Sequence, residues 1–554
     1  MFLKLIKPTF FLVLWLLLNL LQAAFTELTS DEGYYWFYSK RLEWGYYDHP
    51  PFLALMIKIG YFFFKNEFGV RLLNVLLNTA SIFIVIDLMP GKVLQRNQTY
   101  ILLLSLPLLS YLAFIVFPDG PLLFFSAVYL WSYKNFLEKK NVSSALLMGV
   151  AVALMLYSKY HGVLIVLFTL LSNLKLLRNK LFYLSMSAAI ILFTPHIWWQ
   201  YEHHFITFDY HLQQRTEGFS GRHVFEYISQ QILAIGPAFI FIPFVYKARN
   251  QFEKTLLYII IGTLLFFLFT SLKGFVHFHW TSLTIFPFIL LAVKYYDDAR
   301  KKKLFYWLTL PFLFVILLFR LQLMFLIFPI NHVNVDYYHG RKLWANEIKS
   351  IAQNDPVLFS NEFRESSLYS FYSGKTGVAL FSLENRQSQY EIWNYEDSVQ
   401  DKNVLYVSRY PFPGNDILLT RMGKTVYFKK LNCFSSFYNI PILTNFPQSI
   451  KKNSDADVFL SISNGRNKVL HFKCSNDTGN ILLLYTIKKE NQIIHQEQIK
   501  TFSQADSIPV NGSIQMKAKI LSSNLSEGAY SISFGFRTGV IEDSYNATYN
   551  FTVK

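Results

Sequence analysis

The chain has 554 residues, 52% of them hydrophobic and only 16% charged, against roughly 25% charged in an ordinary soluble domain. That excludes disorder and a purely soluble protein, and two cysteines, Cys433 and Cys474, exclude a disulfide-dense scaffold or a cysteine-rich zinc module. A net charge of +16 would suit a nucleic-acid partner, but the places where the charge falls argue against one.

Apolar runs near the length that crosses a bilayer predict about eleven spans. They lie at roughly 8 to 25, 69 to 89, 98 to 117, 120 to 137, 143 to 158, 162 to 177, 181 to 200, 228 to 246, 255 to 271, 277 to 293 and 304 to 328. With the N-terminus in the cytoplasm, the loops on that side carry eighteen Lys and Arg, from Lys4 to Lys303, against five acids, a surplus of 13 out of the net +16. That is the positive-inside distribution of a polytopic α-helical membrane protein, so no nucleic-acid partner is expected. Lys4 and Lys7 followed by an apolar run ending in QAA also fit a signal peptide. A retained first span is preferred, because cleavage would detach the acidic motif that follows.

An odd span count puts everything after about residue 330 outside the cytoplasm, and the composition turns globular there. Residues 331–430 read as a small α/β unit: a helix through Leu343 to Ile351, a strand PVLF, a helix through Ser366 to Tyr372, then strands VALF and VLYVS. Residues 431–554 read as a β-sandwich, from the short alternating stretches DVFLSIS, KVLHFKC, ILLLYTI, SIQMKAKI, AYSISFGF and YNFTV between Asn, Gly and Ser turns. Cys433 and Cys474 both fall there, where oxidation is permitted, and one bridge between them is expected.

The polar residues that topology does not require crowd the outer loops. These are Asp31, Glu32, Glu43, Asp48 and His49 in the first loop, Asp119 in the second, and Lys159 and His161 in the third. His203 to Arg222 and Lys273 to His279 occupy the fourth and fifth. A transporter or flippase would place ionisable pairs at mid-span, and an adhesion module would not need eleven spans. Acids and bases ringed at the outer face suit an enzyme acting on a lipid-linked substrate.

The stretch TSDEGYYWFYSKRLEWGYYDHPPFLALMIKIG followed by GVRLLNVLL resembles the first outer loop and second span of GT-C glycosyltransferases of the dolichyl- or polyprenyl-phosphate-sugar type. That group includes protein O-mannosyltransferases and the lipid A aminoarabinose and galacturonic acid transferases. FPDGPLLFF, YSKYHGVL, PHIWWQYEHHFITFDYHLQQR and KGFVHFHW follow in the family's order, so the likeness covers roughly residues 1 to 300. The aminoarabinose enzymes carry a Glu-Lys pair before the two prolines, where this chain has Asp48 and His49. The resemblance implies a GT-C membrane domain and inverting transfer from a polyprenyl-phosphate-sugar to an extracytoplasmic acceptor. The acceptor classes it leaves open are a lipid A or other glycolipid, another glycan, and a protein hydroxyl. It also implies residence in the bacterial inner membrane.

Such a transfer needs a base for the acceptor proton and cations for the departing phosphate. The resemblance makes Asp31 the base; the competing role is an N-cap formed by Ser30, Asp31 and Glu32. Glu32 is expected to orient the acceptor or a metal, or to serve as first-turn helix charge. Pro50 and Pro51 rigidify the loop that carries Asp48 and His49. Asp48 and His49 could hold a divalent cation, with Glu32 as a further donor, but two ligands are too few to specify one.

Asp119, between Pro118 and Gly120, is a site residue or a turn former. Lys159, Arg215 and Lys273 are read as a cradle for the donor phosphate, with snorkelling to head groups as the alternative. Tyr160 and His279 accompany them as substrate-site residues. His203, His204 and His211 lack zinc spacing, and Trp198, Trp199 and Tyr201 read as an interface belt.

Overall fold

A computed structural model describes residues 7–211, 219–328, 338–360, 362–380, 387–421, 423–438, 440–466, 469–472, 480–490, 492–503, 505–522, 524–539 and 541–554. The chain divides into two units, Met1–His339 and Gly340–Lys554.

The first unit is helical. Helix α1 (Pro8–Phe25) leads through a short link to α2 (Ser30–Ser39), and α3 (Phe52–Phe63) packs against α4 (Glu67–Asp87). After α5 (Gly91–Leu94), α6 (Asn97–Leu104) and α7 (Pro107–Leu112), helices α8 (Asp119–Lys139) and α9 (Val142–Ser158) form an antiparallel pair. Next come α10 (Gly162–Ser172), α11 (Lys180–Glu202), α12 (Ile206–Asp209), α13 (Gly221–Ile235), α14 (Ile242–Val245) and α15 (Gln251–Thr270). A 3-10 turn, Phe278–Thr284, runs into α16 (Ile285–Tyr295), and α17 (Lys302–Phe325) closes the unit.

Six described helical stretches are long and apolar enough to cross a membrane: Pro8–Phe25, Glu67–Asp87, Lys180–Glu202, Gln251–Thr270, Phe278–Tyr295 and Ala299–Phe325. This is an integral membrane protein, and two of the expected spans are interrupted. The expected span 98 to 117 breaks between α6 and α7, where Leu106 is extended ahead of Pro107; proline's ring disfavours helical backbone in the residue before it. The span at 228 to 246 breaks at Gly236, whose φ of +82° only glycine adopts readily, with Pro237 following. Conversely α3, within the predicted first loop, is a helix exposing Leu55, Ile59, Phe62 and Phe63 on one apolar face.

In the second unit, strands β1 (Val357–Ser360), β2 (Gly377–Leu380), β3 (Val404–Ser408), β4 (Asp416–Leu419) and β5 (Thr425–Leu431) form a sheet of order β2-β1-β3-β5-β4. Its β1 pairs in parallel with β2 and β3, linked through helices such as Phe363–Ser373. The remaining strands are β6 (Ile442–Thr444), β7 (Ser449–Ile450), β8 (Ala456–Ser463), β9 (Leu470–His471), β10 (Ile481–Lys489), β11 (Gln492–Phe502), β12 (Ser507–Ile508), β13 (Ser513–Ile520), β14 (Gly528–Thr538) and β15 (Ile541–Val553).

Sheet β13-β8-β6 faces sheet β11-β10-β14-β15-β7 across a core of Val458, Leu460, Ile462, Leu483, Tyr485, Ile532 and Phe534. Residues in β8 alternate between buried and less buried, as a sandwich strand requires. Cys433 is exposed and free among the described residues, and Cys474, with the bridge expected between them, lies outside the described residues.

Candidate active site in the helical unit

Helix α2 starts on a capping box. Thr29 is its N-cap: Thr29 Oγ1 accepts from the Glu32 amide at 3.3 Å while Glu32 Oε2 accepts from the Thr29 amide at 3.0 Å. The cap expected of Ser30, Asp31 and Glu32 therefore belongs to Thr29, and Asp31, half-buried in the first turn, is not used for it.

Glu32 is sealed from solvent, accepting from Arg71 Nε at 2.7 Å, Arg71 Nη2 at 2.6 Å and the Val116 amide at 3.0 Å. Arg71 donates in turn to the carbonyls of Ala23, Thr26 and Glu27 at 3.3, 2.5 and 2.9 Å. Those bonds clamp the end of α1, the start of α2, α4 and the segment before α8. Both Glu32 oxygens are consumed, which corrects its reading as a group offered to acceptor or metal.

The hydroxyls of Tyr338 and Tyr111 lie 3.1 Å apart. Burial raises the Tyr338 phenol above its ordinary pKa, the Tyr111 bond opposes the rise, and the charges of Glu32 and Asp31 add to it. Tyr338 thus stands in the field of Asp31.

Asp48 is buried and accepts from Tyr38 Oη at 2.5 Å, while its carbonyl lies 3.0 Å from His211 Nε2. Burial, and then the Asp48 charge, push the Tyr38 phenol well above its usual range. His49 is fixed by its carbonyl, which accepts from the Tyr46 amide at 3.0 Å, and by Tyr35 Oη, 3.4 Å from its Nε2. Tyr160 Oη lies 2.7 Å from His196 Nε2 and accepts from Gln200 Nε2 at 3.1 Å. His196 Nδ1 sits 2.6 Å from the Trp44 carbonyl. That contact requires a proton on Nδ1, which leaves Nε2 to accept from the Tyr160 hydroxyl. Burial, with a smaller contribution from Asp48, raises the Tyr160 phenol.

Asp119 is the first residue of α8 and is wholly buried. It accepts from Lys159 Nζ at 2.9 and 2.7 Å and from Ser282 Oγ at 2.7 Å, with His279 Nε2 3.8 Å away. A Cβ on Gly120 would collide with the Asn74 side chain, so glycine there lets the start of α8 sit against α4. Lys159, the C-cap of α9, is buried, which corrects the snorkelling reading. Lys273 is exposed in the turn after α15. Arg215 lies outside the described residues.

Phe117 joins these groups. Its ring stacks on His279 at 5.0 Å, meets Tyr35 edge-on at 6.2 Å, and lies 6.1 Å from Tyr111. Tyr35 packs on His49 at 5.5 Å, Tyr111 bonds Tyr338, and His279 approaches Asp119. Residues predicted from separate loops therefore converge around one ring.

Sequence reasoning missed Arg71, Phe117, His196, Gln200, Ser282 and Tyr338. Arg71 carried a signal: an arginine inside an apolar run needs a buried partner or a function. The belt reading is corrected for Trp199, which is buried over Gly45 with Nε1 donating to Glu43 at 3.1 Å; Trp198 and Tyr201 are exposed. His203 stacks on Trp199 at 3.9 Å. Among the described residues no three His, Cys, Asp or Glu side chains are grouped to hold a metal. With Glu32 committed to Arg71 and Asp48 to Tyr38, the donor set expected for a divalent cation does not fit one.

Residues 48–199 match the family model described as dolichyl-phosphate-mannose-protein mannosyltransferase. The chain is 26% identical over 231 residues to the lipid A galacturonosyltransferase RgtD of Rhizobium johnstonii, an alignment covering 39% of this chain and 48% of that protein. The chain thus spans about half the length of that curated relative. Its fold is similar to that of ArnT from Cupriavidus metallidurans in the apo state, with a TM-score of 0.56 and 14% identity, over 76% of this chain and 97% of that one. It is equally similar to the same protein bound to undecaprenyl phosphate, with a TM-score of 0.54, 15% identity and the same coverage.

Proposed function

We propose that this protein is an inverting glycosyltransferase that moves a sugar from a polyprenyl-phosphate donor to an extracytoplasmic acceptor, with a lipid A-type glycolipid as the favoured acceptor. The observation that supports the reading is that Tyr35, Tyr111 and His279 surround Phe117, with His49 packed on Tyr35 and Asp119 beside His279 holding Lys159, while Tyr160 meets His211, which approaches the Asp48 carbonyl, and the Asp31 charge acts on the Tyr338 phenol that bonds Tyr111. The matched family and the lipid A relative support the reaction class and the acceptor.

Asp31 takes the proton of the acceptor hydroxyl, whose oxygen forms a bond to the anomeric carbon. The carbon–oxygen bond to phosphate breaks on the opposite face, and polyprenyl phosphate leaves with the bonding pair. One displacement inverts the centre. Glu32 and Arg71 hold the start of α2, and so position Asp31 without touching substrate. Lys159, held by Asp119, together with Lys273 and Arg215, supplies positive charge for the phosphate; Tyr160 and His279 line the approach.

The charge distribution supports a cytoplasmic N-terminus and an extracytoplasmic second unit, and the lipid A relative supports the bacterial inner membrane as location. A reporter fused after Lys303 should read cytoplasmic and one after Lys554 extracytoplasmic; the same side for both would sink this topology. The function is tested by mass spectrometry of envelope glycolipids with and without the protein. Loss of one glycosyl unit is the expected result, and an unchanged glycolipid profile with an altered protein glycan would move the acceptor to a protein hydroxyl.

A further inference from the structure

Two arginines are buried in the helical unit, and they are treated differently. Arg71 meets a carboxylate and three carbonyls. Arg320, near the end of α17 and 4% exposed, meets no carboxylate among the described residues. Its Nη2 donates to Asn19 Oδ1, its guanidinium lies 5.1 Å from the Phe114 ring, and its buried Nε has no hydrogen-bond partner. Asn19 is already committed through Nδ2 to the Trp15 carbonyl at 2.8 Å. Beside it, Gln22 donates to Thr26 Oγ1 at 2.9 Å and to the Arg320 carbonyl at 3.2 Å.

A buried guanidinium that meets no carboxylate among the described residues is costly, and in membrane segments such a group points to a ligand. Its free Nε edge suits an oxyanion with two acceptor oxygens. The neighbourhood says where that anion comes from. Phe25 of α1 and Phe325 of α17 are exposed beside each other, 6.3 Å between rings, with Leu21 and Leu321 also exposed on the same two helices. An apolar seam leading to a buried cation fits an anionic lipid. Phe114 belongs to the segment that gives Val116 to Glu32 and Phe117 to the candidate site.

We propose that Arg320 is a second phosphate-binding site, for the head group of an anionic lipid whose chain lies along the seam between α1 and α17. The site is separate from the cradle of Lys159 and Lys273 and does not depend on transfer occurring. Its source is either a polyprenyl phosphate or an anionic phospholipid.

The full-length protein, purified in detergent, is titrated with a polyprenyl monophosphate, with the phosphate-free polyprenol, and with phosphatidylglycerol. Native mass spectrometry then counts the lipids retained. At saturation Arg320→Met should retain one phosphate lipid fewer than the parent, Arg320→Lys should match the parent, and polyprenol should bind equally to all three. Loss confined to polyprenyl monophosphate identifies that source; loss confined to phosphatidylglycerol identifies the other. Equal counts in parent and Arg320→Met with both phosphate lipids would overturn the site. Lipid-free melting separates this from misfolding: Arg320→Met should melt no lower than the parent, whereas a structural cation would make it melt lower and would likewise overturn the assignment.

Discussion

Glu32 and Arg71 stand 39 residues apart in sequence and share two hydrogen bonds, 2.7 and 2.6 Å long, with neither side chain exposed to solvent. The pair pins the first turn of α2, and with it Asp31, to the ends of α1 and α4. Removing one partner leaves a buried charge alone. Arg71→Met is therefore expected to lower stability by about 3 to 5 kcal/mol, and Glu32→Gln by a similar amount, while the double variant recovers part of the loss. Detergent-solubilised thermal unfolding checks it; additive losses would argue that the two side chains do not act on each other.

Asp31 sits one residue before Glu32, half-buried where Glu32 is sealed from solvent. Asp31→Asn should lower turnover by about two to four orders of magnitude, the range for losing a general base, with thermal stability nearly unchanged. Thr29→Ala should show the reverse pattern, costing about 1 kcal/mol of stability through the lost cap with a smaller effect on the chemical step. Transfer assays on both purified variants make the comparison, and near-normal turnover in Asp31→Asn would remove it from catalysis.

Lys159 and Lys273 should part company. Lys159→Met strands buried Asp119 and is expected to reduce stability and turnover together, with Asp119→Asn partly restoring stability in the double variant. Lys273 is exposed and its replacement by Met should leave melting unchanged. Donor dependence should weaken by about one to two orders of magnitude if Lys273 forms a charge-assisted bond to phosphate worth about 1.5 to 3 kcal/mol. Kinetics with donor varied decides it, and parent-like donor dependence in Lys273→Met would leave it as a surface cation.

In the second unit, burial pushes the Glu396 carboxyl up from 4.5 to about 8, with Glu391 and Asp397 adding to the rise. The folded state then keeps a proton that the unfolded chain releases, so the contribution of Glu396 to stability is full below pH 4.5 and is lost as pH rises toward about 8. Glu396→Gln should flatten that part of the stability profile. Unfolding of the full chain monitored between these limits, with no difference between parent and variant, would contradict it.

Much of this protein was legible in the linear chain because its signals are local. Apolar runs, one-sided Lys and Arg, and the alternation of DVFLSIS and ILLLYTI each follow from a residue and its near neighbours, so the membrane unit and the sandwich strands could be read directly. Strand β11 escaped because it is an edge strand with only its last residue, Phe502, buried, which leaves little burial pattern to read. The breaks at Leu106 and Gly236 were written in the sequence as proline and glycine, but inside apolar runs that hydropathy treats as continuous.

Partners were a different matter. Nothing local distinguishes Glu32, spent on Arg71, from Asp31 beside it, or makes Lys159 the mate of Asp119 40 residues earlier. Which carboxylate is sealed away depends on which cation the packing of α4, α8 and α9 brings into a space without water, where a charge must be paired. That pairing is a property of the tertiary structure alone.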